Sequence, residues 1–170
     1  VNFGIVYGIG AFSLAKDIGV SNKEAKHYIE SYLAHYSGVD SYMKNVVEKA
    51  NADGYVETMF GRRRNLPELT SSKHMIRAFG ERVARNMPIQ GTAADIIKIA
   101  MIKVDERMKA ENLRARLVLQ VHDELIVEAP QDESMRVALI VQEEMENAVK
   151  MSVPLTADAA IGRTWYDAKG

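Results

Sequence analysis

Leu117-Val118-Leu119-Gln120-Val121-His122-Asp123-Glu124-Leu125-Ile126-Val127 sets two apolar runs on either side of a short polar turn. Leu117, Leu119 and Val121 alternate with Arg116, Val118 and Gln120, which is the two-residue period of a half-buried strand. The second run follows at once, so Asn112 to Glu128 is expected to form a β-hairpin with His122-Asp123 near its tip. Packed strands would then hold Asp123 close to Glu124. Like charges so placed favour protonation of one carboxyl or a bound cation. A hard divalent ion such as Mg²⁺ takes oxygen ligands and keeps several waters, so one or two protein carboxylates suffice where substrate phosphates supply the rest. In phosphoryl transfer, two such ions activate the attacking oxygen and stabilise the leaving one. Taken alone, the same pair also fits a solvated turn, since Asp is common in turns.

Around the hairpin the pattern is mostly helical. Ser21 with Glu24 has capping-box spacing, and the helix it opens carries Ala25, Tyr28, Ile29, Tyr32 and Leu33 before stopping near Ser37-Gly38. Another helix is expected from near Asp40 to Gly54, and a short strand over residues 55–59. Phe60-Gly61 then turns into the basic run Arg62-Arg63-Arg64. Ser71 or Ser72 is expected to cap a helix through Asn86, with Pro88 breaking it before a longer helix to about Ala110. Pro130 and Asp132 open a last long helix, and the alternation from Leu155 to Ile161 predicts a final strand. The fold class expected is α+β.

Bulk properties narrow the class without deciding it. The 170 residues carry 22 basic and 23 acidic side chains for a net charge of −1, so any nucleic-acid contact must come from a local patch. The hydrophobic share of 47% is enough for a real core. Zero cysteines exclude disulfides, thiolate metal sites and thiol nucleophiles, and fit a reducing cytoplasm. No apolar run approaches the roughly 20 residues that cross a bilayer, so no membrane partner is expected. The chain starts at Val1 in the middle of an apolar pattern, which suggests a fragment of a longer polypeptide.

Two further constellations carry chemistry. In Val1-Asn2-Phe3-Gly4-Ile5-Val6-Tyr7-Gly8 the rings of Phe3 and Tyr7 are four apart, on one helical face. The glycines cost roughly 1 kcal/mol each in helix propensity and leave room for a flat partner such as a base. A close helix–helix contact uses the same pattern. Further on, Arg82 and Asn86 share a face, with Arg85 adjacent and Gln90 beyond Pro88. Asn and Gln amides suit the acceptors that the minor groove presents at every base pair, and Arg suits phosphates. A solvated charged helix would look similar.

Together these segments resemble the family A DNA polymerases of the DNA polymerase I type. Gln120-Val121-His122-Asp123-Glu124-Leu125 matches the family's motif C, and Val1 to Gly8 resembles the second half of motif B on the fingers helix. Glu81-Arg82-Val83-Ala84-Arg85-Asn86-Met87-Pro88-Ile89-Gln90-Gly91-Thr92-Ala93-Ala94-Asp95-Ile96 is close to the pattern between those motifs, and Gly61 to Arg64 resemble a Gly-Arg-Arg turn of the family. The resemblance runs from Val1 to Gly162–Trp165. It implies a mostly helical fingers-like part, residues 1–70, and a palm-like part with a small antiparallel sheet, residues 71–170. It implies that Asp123 and Glu124 are catalytic metal ligands for two Mg²⁺ ions in the intact enzyme. By the same resemblance Phe3 lies beside the incoming dNTP, where Phe rather than Tyr disfavours dideoxynucleotides, and Tyr7 lies near the templating base. Arg82, Asn86 and Gln90 contact primer–template DNA, and His122 touches the primer end. Asp95 is expected to be structural, and Arg62 to Arg64 to serve the fold first. The implied activity is template-directed DNA synthesis in replication and repair.

The resemblance starts too late for a complete site. The family's triphosphate-binding Arg and Lys belong upstream of Phe3, and the second metal-binding Asp lies on a motif A strand further upstream. The isolated 170-residue chain is therefore expected to be inactive, with an unpaired sheet edge that favours self-association. A non-catalytic DNA-binding module is the alternative, but it has no need of His122-Asp123-Glu124. A different metal-dependent phosphotransferase or hydrolase would explain the carboxylates but not Phe3, Tyr7, Arg82, Asn86 and Gln90.

Overall fold

The computed structural model describes residues 2–169, apart from the side chain of Phe3. Its contacts divide the chain into two compact units, Val1–Thr92 and Ala93–Gly170. The α+β class is observed: seven α-helices and two two-stranded antiparallel sheets among the described residues. None of these helices is long and apolar enough to cross a membrane.

The first unit opens with α1 (Asn2–Val6) and α2 (Ala11–Ile18). Helix α3 (Asn22–His35) carries the expected capping box, with Ser21 Oγ accepting from the Glu24 N–H and Glu24 accepting in return from the Ser21 N–H. Helix α4 (Ser37–Asp53) begins three residues earlier than the pattern around Asp40 suggested, because the break after α3 is the single non-helical residue Tyr36. It ends where Gly54 takes the left-handed conformation, φ 78°, that glycine adopts without steric cost. Strand β1 (Tyr55–Glu57) then pairs with β2 (Arg63–Asn65), so part of the basic run forms a strand. Arg63 is held there by Glu57, at 2.6 Å, and by the Tyr55 ring. Buried Ala50, Val56, Leu66, Leu69 and Ala84 form the core of this hairpin and its flanking helices.

Helix α5 (His74–Ala110) corrects a sequence expectation, for it runs unbroken through Pro88. A proline inside a helix removes one hydrogen bond and crowds the preceding turn, at a cost of about 3 kcal/mol. Here tertiary contacts on both sides hold the helix in place. Ala84 is fully buried on one side. On the other, the Thr92 hydroxyl donates to the Pro88 carbonyl and accepts from the Met59 N–H at 3.0 Å. Thr58, also buried, accepts from the N–H groups of Phe60 and Arg62 and so shapes the turn that lies on α5. Gly91 makes that contact possible: a Cβ there would lie 2.7 Å from the Thr58 methyl.

The second unit contains the rest of α5, β3 (Arg116–Val121), β4 (Glu124–Glu128), α6 (Ser134–Glu146) and α7 (Trp165–Lys169). The end of α5 is a Schellman cap, with Asn112 at φ 54° and the Leu113 N–H donating to the Met108 carbonyl. Val104 and Met108 of α5 meet Val137 and Ile140 of α6, and Leu117, Leu125 and Val127 of the hairpin pack against that cluster. Arg107 ties α5 to Glu143 and Glu144 of α6, both at 2.7 Å. Glu111 is held below the usual carboxylate range, first by its hydrogen bond from Arg136 and also by Arg107. The strand expected from Leu155 to Ile161 does not form among the described residues. Alternation makes a strand only beside a partner, and the hydrogen bond found in this segment runs from the Ala157 N–H to the Glu146 carboxylate.

Gly91→Ala tests the seating of α5. Gly to Ala in a helix ordinarily stabilises by about 0.5–1 kcal/mol, whereas crowding a packed contact costs roughly 1–3 kcal/mol. Urea unfolding is expected to show net destabilisation; a gain in stability would show that the Thr58 contact yields easily.

Candidate functional site

The acidic turn is a two-residue connection between β3 and β4, with Val121 paired to Glu124 and Gln120 to Leu125. So short a loop needs a positive φ at a central residue to match the twist of the strands. His122 supplies it at φ 55°, a region His enters several times more readily than most side chains. The Gln120 side-chain amide donates to the His122 carbonyl at 2.6 Å and braces the turn from within β3. Further down the ladder, the register slips by one residue at Val118, between the Leu117 and Leu119 pairs.

This geometry leaves His122 and Asp123 exposed at the tip while Glu124 is part-buried. The Glu124 carboxylate is split between two environments. Its Oε1 lies 3.3 Å from Lys169 Nζ, and its Oε2 is buried without a hydrogen-bond partner. Lys169 escaped the sequence reading, although its signal was present. Thr164-x-x-Asp167 has helix-capping spacing, and Thr164 and Asp167 do exchange those hydrogen bonds at the start of α7. Among the described residues no third His, Asp or Glu joins Asp123 and Glu124 as a metal-binding group.

Arg82, Asn86 and Gln90 lie on α5 within the first unit. Because the helix continues through Pro88, they recur at i, i+4 and i+8 along one face, spanning about 12 Å at 1.5 Å per residue. Arg82 and Gln90 are exposed. The Asn86 Oδ1 is buried and has no hydrogen-bond partner. Arg85 is turned away from this use. It pairs with Glu81 at 3.3 Å and approaches Gly8, where a Cβ would lie 3.6 Å from its guanidinium. Asp95 is buried, at 5% exposure.

At α1 the backbone explains both glycines. Gly8 has φ 82°; its N–H bonds the Ile5 carbonyl and the Ile9 N–H bonds the Gly4 carbonyl, which together make a Schellman cap. Ile9 folds back over Gly4, where a Cβ would meet its side chain at 3.4 Å. The small residues therefore also serve the helix end. Tyr7 is part-buried at this cap. The side chain of Phe3 lies outside the described residues.

Comparison with known proteins covers nearly the whole chain. The model of the family described as DNA polymerase family A matches residues 1–167. The chain is 54% identical over 169 residues to DNA polymerase I of Bacillus caldotenax and 52% identical to that of Bacillus subtilis. In both cases 99% of this chain matches 19% of the relative, so it spans about a fifth of their length. The polymerase domain of Pol1 from M. smegmatis, solved in complex with DNA primer-template and dNTP, superposes with a TM-score of 0.94 at 46% identity. That match covers 99% of this chain and 30% of the solved one.

Proposed function

The chain belongs to DNA polymerase family A, and from that membership we propose that it supplies part of the site of a template-directed DNA polymerase. The observation that carries this reading is the turn itself, with Asp123 exposed at its tip beside Glu124, whose Oε2 is buried without a partner. Paired carboxylate oxygens, one of them desolvated and unsatisfied, suit a hard divalent cation such as Mg²⁺. Asp123 and Glu124 would hold it, with the remaining ligands coming from carboxylates elsewhere in the parent protein, from substrate phosphates and from water. Bound there, such ions make the primer 3′-OH a better nucleophile and offset charge on the leaving phosphate.

The other residues grip and align. His122, pushed outward by its positive φ, faces the primer end. Arg82 takes phosphate contacts, while Asn86 and Gln90 test the minor-groove acceptors that all base pairs share. The unpaired Asn86 Oδ1 is consistent with a partner from outside the chain. Tyr7 lies near the templating base and Phe3 beside the incoming dNTP. Residues 1–70 belong to the fingers and 71–170 to the palm; this division follows the motifs, whereas the contact units divide at Thr92. The enzyme works in the cytoplasm.

The full-length parent provides the test. Asp123→Asn is expected to slow primer extension by more than about a hundredfold, or at least ~2.7 kcal/mol in barrier at ~1.36 kcal/mol per decade. Duplex affinity should be nearly unchanged, and extension at the parent rate would refute the assignment. The 170-residue polypeptide alone, with two adjacent carboxylates, is expected to extend no primer in Mg²⁺. The exposed apolar residues Val118 and Leu119 on β3 support self-association of that polypeptide through a strand edge. Size-exclusion chromatography with light scattering is expected to find a dimer or larger; a monomer counts against it.

A further inference from the structure

The stretch Gly162 to Lys169 forms a short device aimed at the acidic turn. Thr164 and Asp167 cap α7 reciprocally: the Thr164 N–H donates to Asp167 Oδ2 at 3.1 Å, and the Asp167 N–H donates to Thr164 Oγ1 at 3.2 Å. The segment before the cap lies so close to the helix that a Cβ at Gly162 would sit 2.6 Å from the Ala168 nitrogen. Glycine is thus required for this approach. Lys169, in the last turn of α7, then has two partners. Its ammonium is 5.0 Å from the centroid of the Trp165 ring and 3.3 Å from Glu124 Oε1.

An exposed ion pair of this length contributes little to stability. Its position gives it another consequence. Glu124 has one oxygen on Lys169 and the other buried and unpaired, so the ammonium is the only charge partner found for that carboxylate among the described residues. A divalent cation drawn to Asp123 and Glu124 meets a positive charge already in place.

We propose that Lys169 is a positioning residue for the acidic turn, an internal counter-cation that holds the Glu124 carboxylate and gives it up when a divalent cation binds there. This rests on the reading of Asp123 and Glu124 as metal ligands. Lys169 and the metal compete for one carboxylate. Removing the ammonium therefore strengthens metal binding and weakens the hold on the Glu124 side chain. Helix α7 reports the exchange, because Trp165 is the only tryptophan in the chain and carries Lys169 over its ring.

The full-length parent is titrated in two ways: with Mg²⁺, following Trp165 emission as the difference from a Trp165→Phe control, and with Mn²⁺, counting free ion by electron paramagnetic resonance. Emission of the unmodified parent is expected to change in step with metal binding. Lys169→Met should bind Mn²⁺ about three- to tenfold more tightly, the size of effect that one nearby unit charge exerts through screened solvent, with emission flat across the Mg²⁺ titration. Lys169→Arg, which keeps the charge, should follow the unmodified parent. Unchanged Mn²⁺ affinity in folded Lys169→Met, with binding still lost in Asp123→Asn, overturns the role of Lys169 and leaves the metal reading standing. Flat emission of the unmodified parent through Mg²⁺ saturation overturns it equally. Absence of any Asp123-dependent Mn²⁺ site overturns both.

Discussion

Two consecutive carboxylates, Asp123 in a two-residue hairpin connection and Glu124 opening the next strand, stand in different environments that the turn geometry sets. The turn closes only because His122 accepts a positive φ, and the Gln120 amide holds the carbonyl that this conformation presents. Pairing of Val121 with Glu124 starts β4 at the second carboxylate. Glu124 is thereby drawn partly out of solvent while Asp123 stays at the tip. The hairpin rests on Val104, Met108, Val137 and Ile140 through Leu117, Leu125 and Val127, a base that fixes which face of each strand points outward. Lys169 supplies a positive charge from the end of the chain.

The residues proposed to face the duplex depend on a different constraint. Arg82, Asn86 and Gln90 line up only because α5 stays helical past Pro88. The missing hydrogen bond there is offset by contacts from the β1–β2 turn, through Thr58, Met59 and Thr92. The small β1–β2 hairpin thus bears on the proposed DNA-contacting face through the continuity of one helix.

Features governed by neighbours in sequence were legible before the structure. The Ser21–Glu24 cap, the stop at Gly54 and the β3–β4 hairpin with His122-Asp123 at its tip all follow from spacing of three residues or fewer, or from a two-residue period. What escaped was set by contacts distant in sequence. Pro88 reads as a breaker until Thr92 and Met59 are seen beside it. Leu155 to Ile161 alternates like a strand, but a strand also needs a partner. Lys169 could be placed on a capped helix from sequence, but its approach to Glu124 could not.

The central claim is that Asp123 is a metal ligand in DNA synthesis, and an exchange of ligand softness tests it most directly. The chain contains no cysteine, so Asp123→Cys in the full-length parent introduces one thiolate at the turn. Thiolates favour soft ions over Mg²⁺. Primer extension by this variant is expected to fail in Mg²⁺ and to return in part when Cd²⁺ is added, with duplex binding intact throughout. Extension in Mg²⁺ at the parent rate, or no rescue by Cd²⁺ in a variant that folds and binds duplex, would contradict the claim.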